Sequence, residues 1–282
     1  AYYRKHGTLD GCPHLSPENI ENDADIIINL FGDLEIYTSS GVLREGDLKS
    51  PKCCRLLAYM LLNKKVTIPA MEIAEAIWPE EAAESDNPGK NLRALVFRLR
   101  QAFALVSPHQ LIETTTNGYR FNPDLHIMTD LQLFDKYWNM AQQTGSTSTR
   151  VEILKQAVDL YKGKVLASAE SEHWIMLTAS HYDLRYTGVV NELLKTLEDA
   201  KDYQNLHKYA AQSLAVAPGN VKAHYWLIVA MFNLGADEMA DTQLEAAKRA
   251  LTDEEYYELV EALKKAKITE PSNLFRNEKL SI

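Results

Sequence analysis

Hydrophobic and polar positions change their period several times along the chain, and each change marks an element. From Ile26, β-branched and aromatic residues in IIINLFGDLEIYTSSGVL lie between Gly32 and Ser39-Ser40-Gly41, a texture that predicts two or three short antiparallel strands. Ser50-Pro51 then gives an N-cap and a proline at the first helical position, and CCRLLAYMLLNKK continues as a buried helix closed by lysines near its negative end. A second helix, AMEIAEAIW, opens after Pro69 with Met71, Ala74, Ile77 and Trp78 as its inner face, and Pro79 ends it. Asn87-Pro88 restarts the chain as a third helix centred on NLRALVFRLRQAF, residues 91–103. There Leu92, Val96, Leu99 and Phe103 recur at the spacing of one buried stripe. Ser107-Pro108 stops that helix, and in LIETTTNGYRFN two β-rich runs flank Asn117-Gly118, a hairpin turn signal.

From residue 129 to 267 helical patterns alternate with breaks at Gly145, Gly163, Pro218-Gly219 and Gly235. Residues 35 apart match: Leu194 with Val229, Leu197 with Phe232, Asp202 with Asp237, Ala211 with Ala246 and Ala215 with Ala250. This is close to the roughly 34-residue period of tetratricopeptide (TPR) repeats, in which helix pairs stack. Ala211, Ala246 and Ala247 are expected to let paired helices approach, while Leu193, Leu197, Trp226 and Phe232 supply the interlocking bulk. Strands, three helices and a hairpin, followed by stacked helix pairs, predict an α+β N-terminal winged helix-turn-helix and an all-α TPR-like helical repeat domain.

Charge sharpens the reading of the third helix. At about 100° per residue it turns Lys90, Ala94, Phe97, Arg98 and Gln101 away from the apolar stripe, with Arg93 and Arg100 on the flank. No acidic residue occurs between Asp86 and Glu113, so four cations stand in an acid-free window of a chain whose formal net charge is −9. Such a chain does not coat nucleic acid by bulk charge; any contact must come from a local patch. The window reads as a recognition helix for double-stranded DNA: an apolar stripe to seat it, small or polar groups to reach base edges, and cations for phosphates. The bland counterpart is a solvated, arginine-rich surface helix. The hairpin, residues 111–122, adds Thr114, Thr115, Thr116, Asn117 and Arg120, which can hydrogen-bond phosphate or enter the minor groove, or, for the threonines, merely suit a β-hairpin.

The remaining chemistry is sparse. Residues 1–24 mix Gly, Pro, Asn and Asp without an apolar period and read as a linker or arm; residues 268–282 read as a tail. His6, Cys12 and His14 lack a fourth ligand and the spacing of a zinc site, so no metal is expected. Cys12, Cys53 and Cys54 make no even framework, and reduced thiols in a cytoplasmic compartment are expected. The other histidines have no carboxylate or serine at catalytic spacing, and no glycine-rich loop cradles phosphate, so neither an enzyme nor a cofactor is expected. No apolar run approaches the ~18 residues of a membrane span. Because the numbering opens on Ala1, a missing upstream sensor domain stays open.

LKSPKCCRLLAYMLLN, EIAEAIWP, NLRALVFRLRQAF and NGYRF, in this order over about residues 26–126, resemble the OmpR-type winged-helix domain. YKGKVL at 161–166 and the segment from the Trp174 helix to LEDAKDYQNLHKYAAQSLAVAP resemble the bacterial transcriptional activator domain (BTAD) that follows such a winged helix in antibiotic regulatory proteins of the SARP type. The resemblance implies a bacterial transcription regulator and places the acidic loop 79–90, with Glu80, Glu81, Glu84 and Asp86, where OmpR-type proteins meet RNA polymerase. A solvated loop explains those acids equally well. Phe97 departs from the pattern, since such relatives carry a small or polar residue there; it either contacts a thymine methyl or touches protein. Leu95 reads as a second apolar member of the same face.

The expected organisation is therefore an arm, a DNA-binding domain at 25–127, a TPR-like activator domain at 128–267 serving homodimer, partner or effector contacts, and a tail. The site residues are Lys90, Arg93, Ala94, Phe97, Arg98, Arg100, Gln101, Thr115, Thr116, Asn117 and Arg120. The second reading is a scaffold that has lost DNA and holds a peptide in its helical repeats.

Overall fold

Strand β1 (Ile26–Asn29) is buried along its whole length, and its neighbours explain why. On one edge it pairs antiparallel with β2 (Glu35–Thr38), which pairs antiparallel with β3 (Val42–Arg44). On the other it pairs in parallel with β7 (Ile127–Thr129), matching Ile26 with Ile127 and Ile28 with Thr129. The sheet order is β3-β2-β1-β7. A central strand with no polar alternation is the signature of cover on both faces. The computed structural model describes residues 24–266 apart from 49, 64, 80–87 and 170–171. The expected arm, most of the acidic loop, the tail, and His6, Cys12 and His14 lie outside the described residues.

Three helices follow: α1 (Pro51–Leu62), α2 (Ala70–Ile77) and α3 (Pro88–Phe103). Proline stands at the start of α1 as expected, but the Ser50 side chain makes no capping bond. Asn63 turns extended after Leu62, so the last turn holds no basic residue; Lys65 lies beyond it and pairs with Glu72 of α2. The inner face of α2 is Ile73, Ala74 and Ile77 rather than one beginning at Met71, which is 49% exposed. Positions 73 and 77 differ by one helical turn, whereas 71 lies about 160° from 73.

The hairpin is β5 (Ile112–Thr115) and β6 (Gly118–Phe121), with Thr115 opposite Gly118. Its two-residue loop is therefore Thr116-Asn117, one position earlier than the Asn-Gly signal suggests. Gly118 is needed for another reason: a Cβ there would stand 2.0 Å from the Ile68 carbonyl oxygen. Ile68–Pro69 forms a short strand, β4, pairing antiparallel with β6 in a three-stranded sheet of order β4-β6-β5. The wing is thus stitched to the chain that leads into α2.

The activator segment contributes to this first unit. The Leu166 N–H donates to the Leu30 carbonyl at 2.7 Å and the Gly32 N–H to the Lys164 carbonyl at 2.9 Å, just after β1 ends. Nearby, Asp130 opens helix α4 (Asp130–Gln143) and is 2% exposed. Its carboxylate accepts the Leu30 N–H at 2.9 Å and the Phe31 N–H at 2.8 Å. Burial pushes this carboxyl up to about 7, while the backbone N–H groups of Phe31 and Leu30 pull the other way. Phe31, Phe134, Tyr161 and Tyr182 close an aromatic cluster beside it. On α1, Arg55 pairs with Glu172 at 2.8 Å and Tyr59 meets Trp174 edge to face at 5.4 Å. The first compact unit accordingly runs to Lys136 and takes in Asp159–Asp183, and the second comprises Tyr137–Val158 and the chain from Leu184 onward. These units and the sequence domains 25–127 and 128–267 are different partitions, because residues near 130 and 160–170 complete the first unit's sheet edge and core.

The second unit is helical. It draws on α4, α5 (Thr147–Leu160) and α6 (His173–Asp199), and contains α7 (Tyr203–Val216), α8 (Val221–Asn233), α9 (Asp237–Ala250) and α10 (Asp253–Lys265). Helices α7 and α9 start at 203 and 237, one TPR period apart, and both run 14 residues. Their starts are specified locally: Asp202 accepts the Asn205 N–H, Asn220 accepts the Ala223 N–H, and Thr252 with Glu255 forms a capping box before α10. Leu193, Leu197 and Trp226 are buried as expected, and Phe232 is half-buried. Of the alanines expected at the helix contacts Ala247 is buried, while Ala211 is exposed and Ala246 half-buried; Ala210 and Ala240 are buried as well. Among the described residues no helix is long and apolar enough to cross a membrane.

Candidate nucleic-acid interface

Burial divides α3 into two arcs. Leu92, Leu95, Val96, Leu99 and Phe103 are buried, which seats the helix on α1 and α2. Lys90, Asn91, Arg93, Ala94, Phe97, Arg98 and Gln101 are exposed. The helix thus brings Lys90, Arg93, Ala94, Phe97, Arg98 and Gln101 onto one open surface. Leu95 belongs to the dry arc at 4% exposure, about 160° round the helix from Phe97, and its carbonyl faces the Cys53 thiol at 4.0 Å. The open arc therefore carries a single large apolar side chain, Phe97, at 62% exposure.

The cations differ in employment. Arg93 Nε donates to the Gly89 carbonyl at 3.2 Å, staying on its own helix. Arg100 reaches the wing, where its Nε donates to the Ile112 carbonyl and its terminal nitrogen to Thr114 Oγ1, both at 2.9 Å. That makes it a strap between α3 and β5. Arg120 pairs with Glu113 across the hairpin at 2.8 Å. Among the described residues, no carboxylate forms an ion pair with Lys90, Arg93, Arg98 or Arg100. At the wing tip Thr116 and Asn117 are exposed, while Thr115 is half-buried and its hydroxyl donates to the Gly118 carbonyl at 3.2 Å.

One part of this surface escapes a reading by helical period. Ser50, Lys52, Trp78, Asn91, Ala94, Leu95 and Arg98 line a notch of about 220 Å³ at the N-terminus of α1. Lys52 Nζ stands 5.1 Å from the centre of the Trp78 ring, where the π face attracts it. Among the described residues no acid lines the notch, and in the first turn the Cys53 N–H already donates to the Ser50 carbonyl at 2.9 Å. The sequence signal was Ser50-Pro51-Lys52, a cation in the first turn, where the helix dipole disfavours one. The buried thiols nearby are poor nucleophiles: burial raises Cys53, and burial followed by Glu45 pushes Cys54 up to about 12. No group of three or more potential metal ligands occurs among the described residues.

A helix-turn-helix with a β-wing, followed along the chain by stacked helix pairs, defines a class of two-part proteins, a winged helix and a helical repeat. Residues 129–266 match the family model of the bacterial transcriptional activator domain. Over those residues the chain carries a bacterial transcriptional activator domain. In fold it is similar to EmbR of Mycobacterium tuberculosis, solved in complex with a low-affinity phosphopeptide. The TM-score is 0.56 at 17% identity, covering 81% of this chain and 59% of that one. No curated protein matches the chain.

Proposed function

We propose that the chain regulates transcription by laying α3 in the major groove of duplex DNA, with the tip of the β5–β6 wing on the adjacent backbone or minor groove. The observation that carries this reading is the open arc of α3, cationic and free of ion pairs with described carboxylates, in a chain of net charge −9. Repulsion from the rest of the surface makes that arc the place where a polyanion approaches. Lys90, Arg93 and Arg98 serve phosphates or base edges, Ala94 and Gln101 face the groove floor, and Thr115, Thr116 and Asn117 meet the backbone. Lys52, which lines the same notch as Arg98, adds a further cation for the phosphate backbone. Arg100 acts through the wing as a positioning residue, and Arg120 stiffens the hairpin.

The TPR-like helices supply dimer, partner or effector contacts. Contact of loop 79–90 with RNA polymerase rests on the family resemblance and on Glu80, Glu81, Glu84 and Asp86. The second reading is a protein-binding scaffold, on which Phe97 would meet a protein surface instead. A gel-shift series with duplexes selected from a random pool separates the two. Binding should fall steeply with salt, and Lys90→Ala with Arg98→Ala should reduce the slope of log affinity against log salt by about two. A chain that selects no duplex at low salt is a scaffold.

A further inference from the structure

Phe97 stands at the middle of the open arc of α3. On the helical wheel Lys90 and Gln101 lie within about 40° of it, Arg93 within about 40° on the other side, and Ala94 and Arg100 within about 60°. No aromatic ring pairs with it among the described residues, and at 62% exposure it adds little to the core. Its neighbours on either side are the long cations and the amide that hold a helix against a phosphate backbone, so whatever covers Phe97 must be polyanionic around an apolar spot. A protein partner would bring carboxylates scattered over a surface. Duplex DNA brings two phosphate rails with a groove floor between them, and the apolar feature on that floor is the C5-methyl group of thymine.

We infer that Phe97 is the specificity-determining residue of α3 and reads a thymine methyl in the major groove. The inference rests on the reading that α3 enters that groove. Ala94, one turn before Phe97 and without a side chain beyond Cβ, leaves the ring room to lie flat against the floor. Arg93 and Gln101, one turn to either side, reach the neighbouring pairs, where guanidinium and amide groups bond guanine and adenine edges. The preferred sequence should therefore hold a favoured thymine at the centre of each half-site, flanked by guanine or adenine.

The test uses the full chain and a duplex selected from a random pool, then the same duplex with each thymine in turn replaced by deoxyuridine, which lacks the methyl group. The wild type should lose about fourfold in affinity at one thymine per half-site, the transfer value of one methyl group. Phe97→Ala should bind the selected duplex more weakly, keep the wild-type salt slope, and show the same affinity for thymine and uracil duplexes. Phe97→Leu, still apolar, should retain part of the uracil penalty. A wild type indifferent to uracil at every position, or a Phe97→Ala chain that keeps the penalty, overturns the inference while leaving groove docking intact. A wild type that selects no duplex removes groove docking itself.

Discussion

Helices α3 and α8 already differ as strings of residues, since α3 carries Lys90, Arg93, Arg98 and Arg100 where α8 carries Lys222 alone, and the structure uses them in opposite ways. In α8, Ala223, His224, Trp226 to Met231 and thus nearly every side of the helix are buried, because α7, α9 and α10 all pack on it. In α3 only one arc is covered, and the other presents Lys90, Arg93, Phe97 and Arg98 outward. Composition and cover agree at the level of the helix, and cover then decides which individual side chain contributes to stability and which, like Phe97, stays available for recognition. A helix buried all round holds its unit together; one buried on a single arc is held by its unit and can face a partner.

The strongest way to break the comparison is to hollow out α8. Leu227→Ala, with Leu227 at 3% exposure, should cost about 2–5 kcal/mol in a denaturant melt. An equally large loss from an alanine on the open arc of α3 would show that arc to be covered after all. A smaller effect is expected at Arg100, which touches both descriptions. Arg100→Ala removes two bonds to β5 and should cost about 1–3 kcal/mol. Hydrogen exchange should show faster opening of Ile112–Thr115 and Gly118–Phe121, with α3 itself unchanged.

The smallest effect is a pH dependence confined to α8. Burial lowers the pKa of His224, while its bond to the Pro218 carbonyl raises it. Gln243 Nε2 lies 3.0 Å from its Nδ1 and Pro218 O lies 2.9 Å from Nε2, an arrangement suited to a neutral ring with the proton on Nε2. A lowered native pKa means the unfolded chain binds the extra proton. Stability from this site is complete above the unfolded value near 6.5 and declines as pH falls through it toward the native pKa, by no more than about 1.4 kcal/mol per pH unit. Thermal melts between pH 5 and 7.5 should show that slope in the difference between the wild type and His224→Gln, because Asp130, pushed up to about 7, titrates with the opposite sign in both chains.

Much of this was legible in the sequence because it depends on period and punctuation. The dry stripe Leu92, Val96, Leu99 and Phe103, the helix starts after Ser50 and Pro69, and the glycine breaks between repeat helices are local matters. The misplacements are of two kinds. Leu95 was assigned by proximity to Phe97, although about 100° per residue sends it inward, while Met71 shares its period with Ala74 and Trp78 and is left exposed only because the covered arc is centred on Ile73, Ala74 and Ile77. Arg100, Arg120, Lys52 and Asp130 depend on what comes alongside from elsewhere. Period does not reveal that a strand 12 residues on offers Arg100 two acceptors, or that a carboxylate 100 residues away meets the Leu30 N–H. The same limit applies to Gly118, which reads as a turn residue but is required by the carbonyl of Ile68.

The strap from Arg100 to Ile112 and Thr114, with Gly118 clamped under Ile68, has a mechanical corollary. The pitch between α3 and the hairpin is fixed when the chain folds, so the pair behaves as a gauge block rather than a pair of calipers. If α3 docks on duplex DNA as proposed, a site whose spacing does not suit that fixed span would have to bend, and bendable base steps would then be favoured at positions no side chain touches.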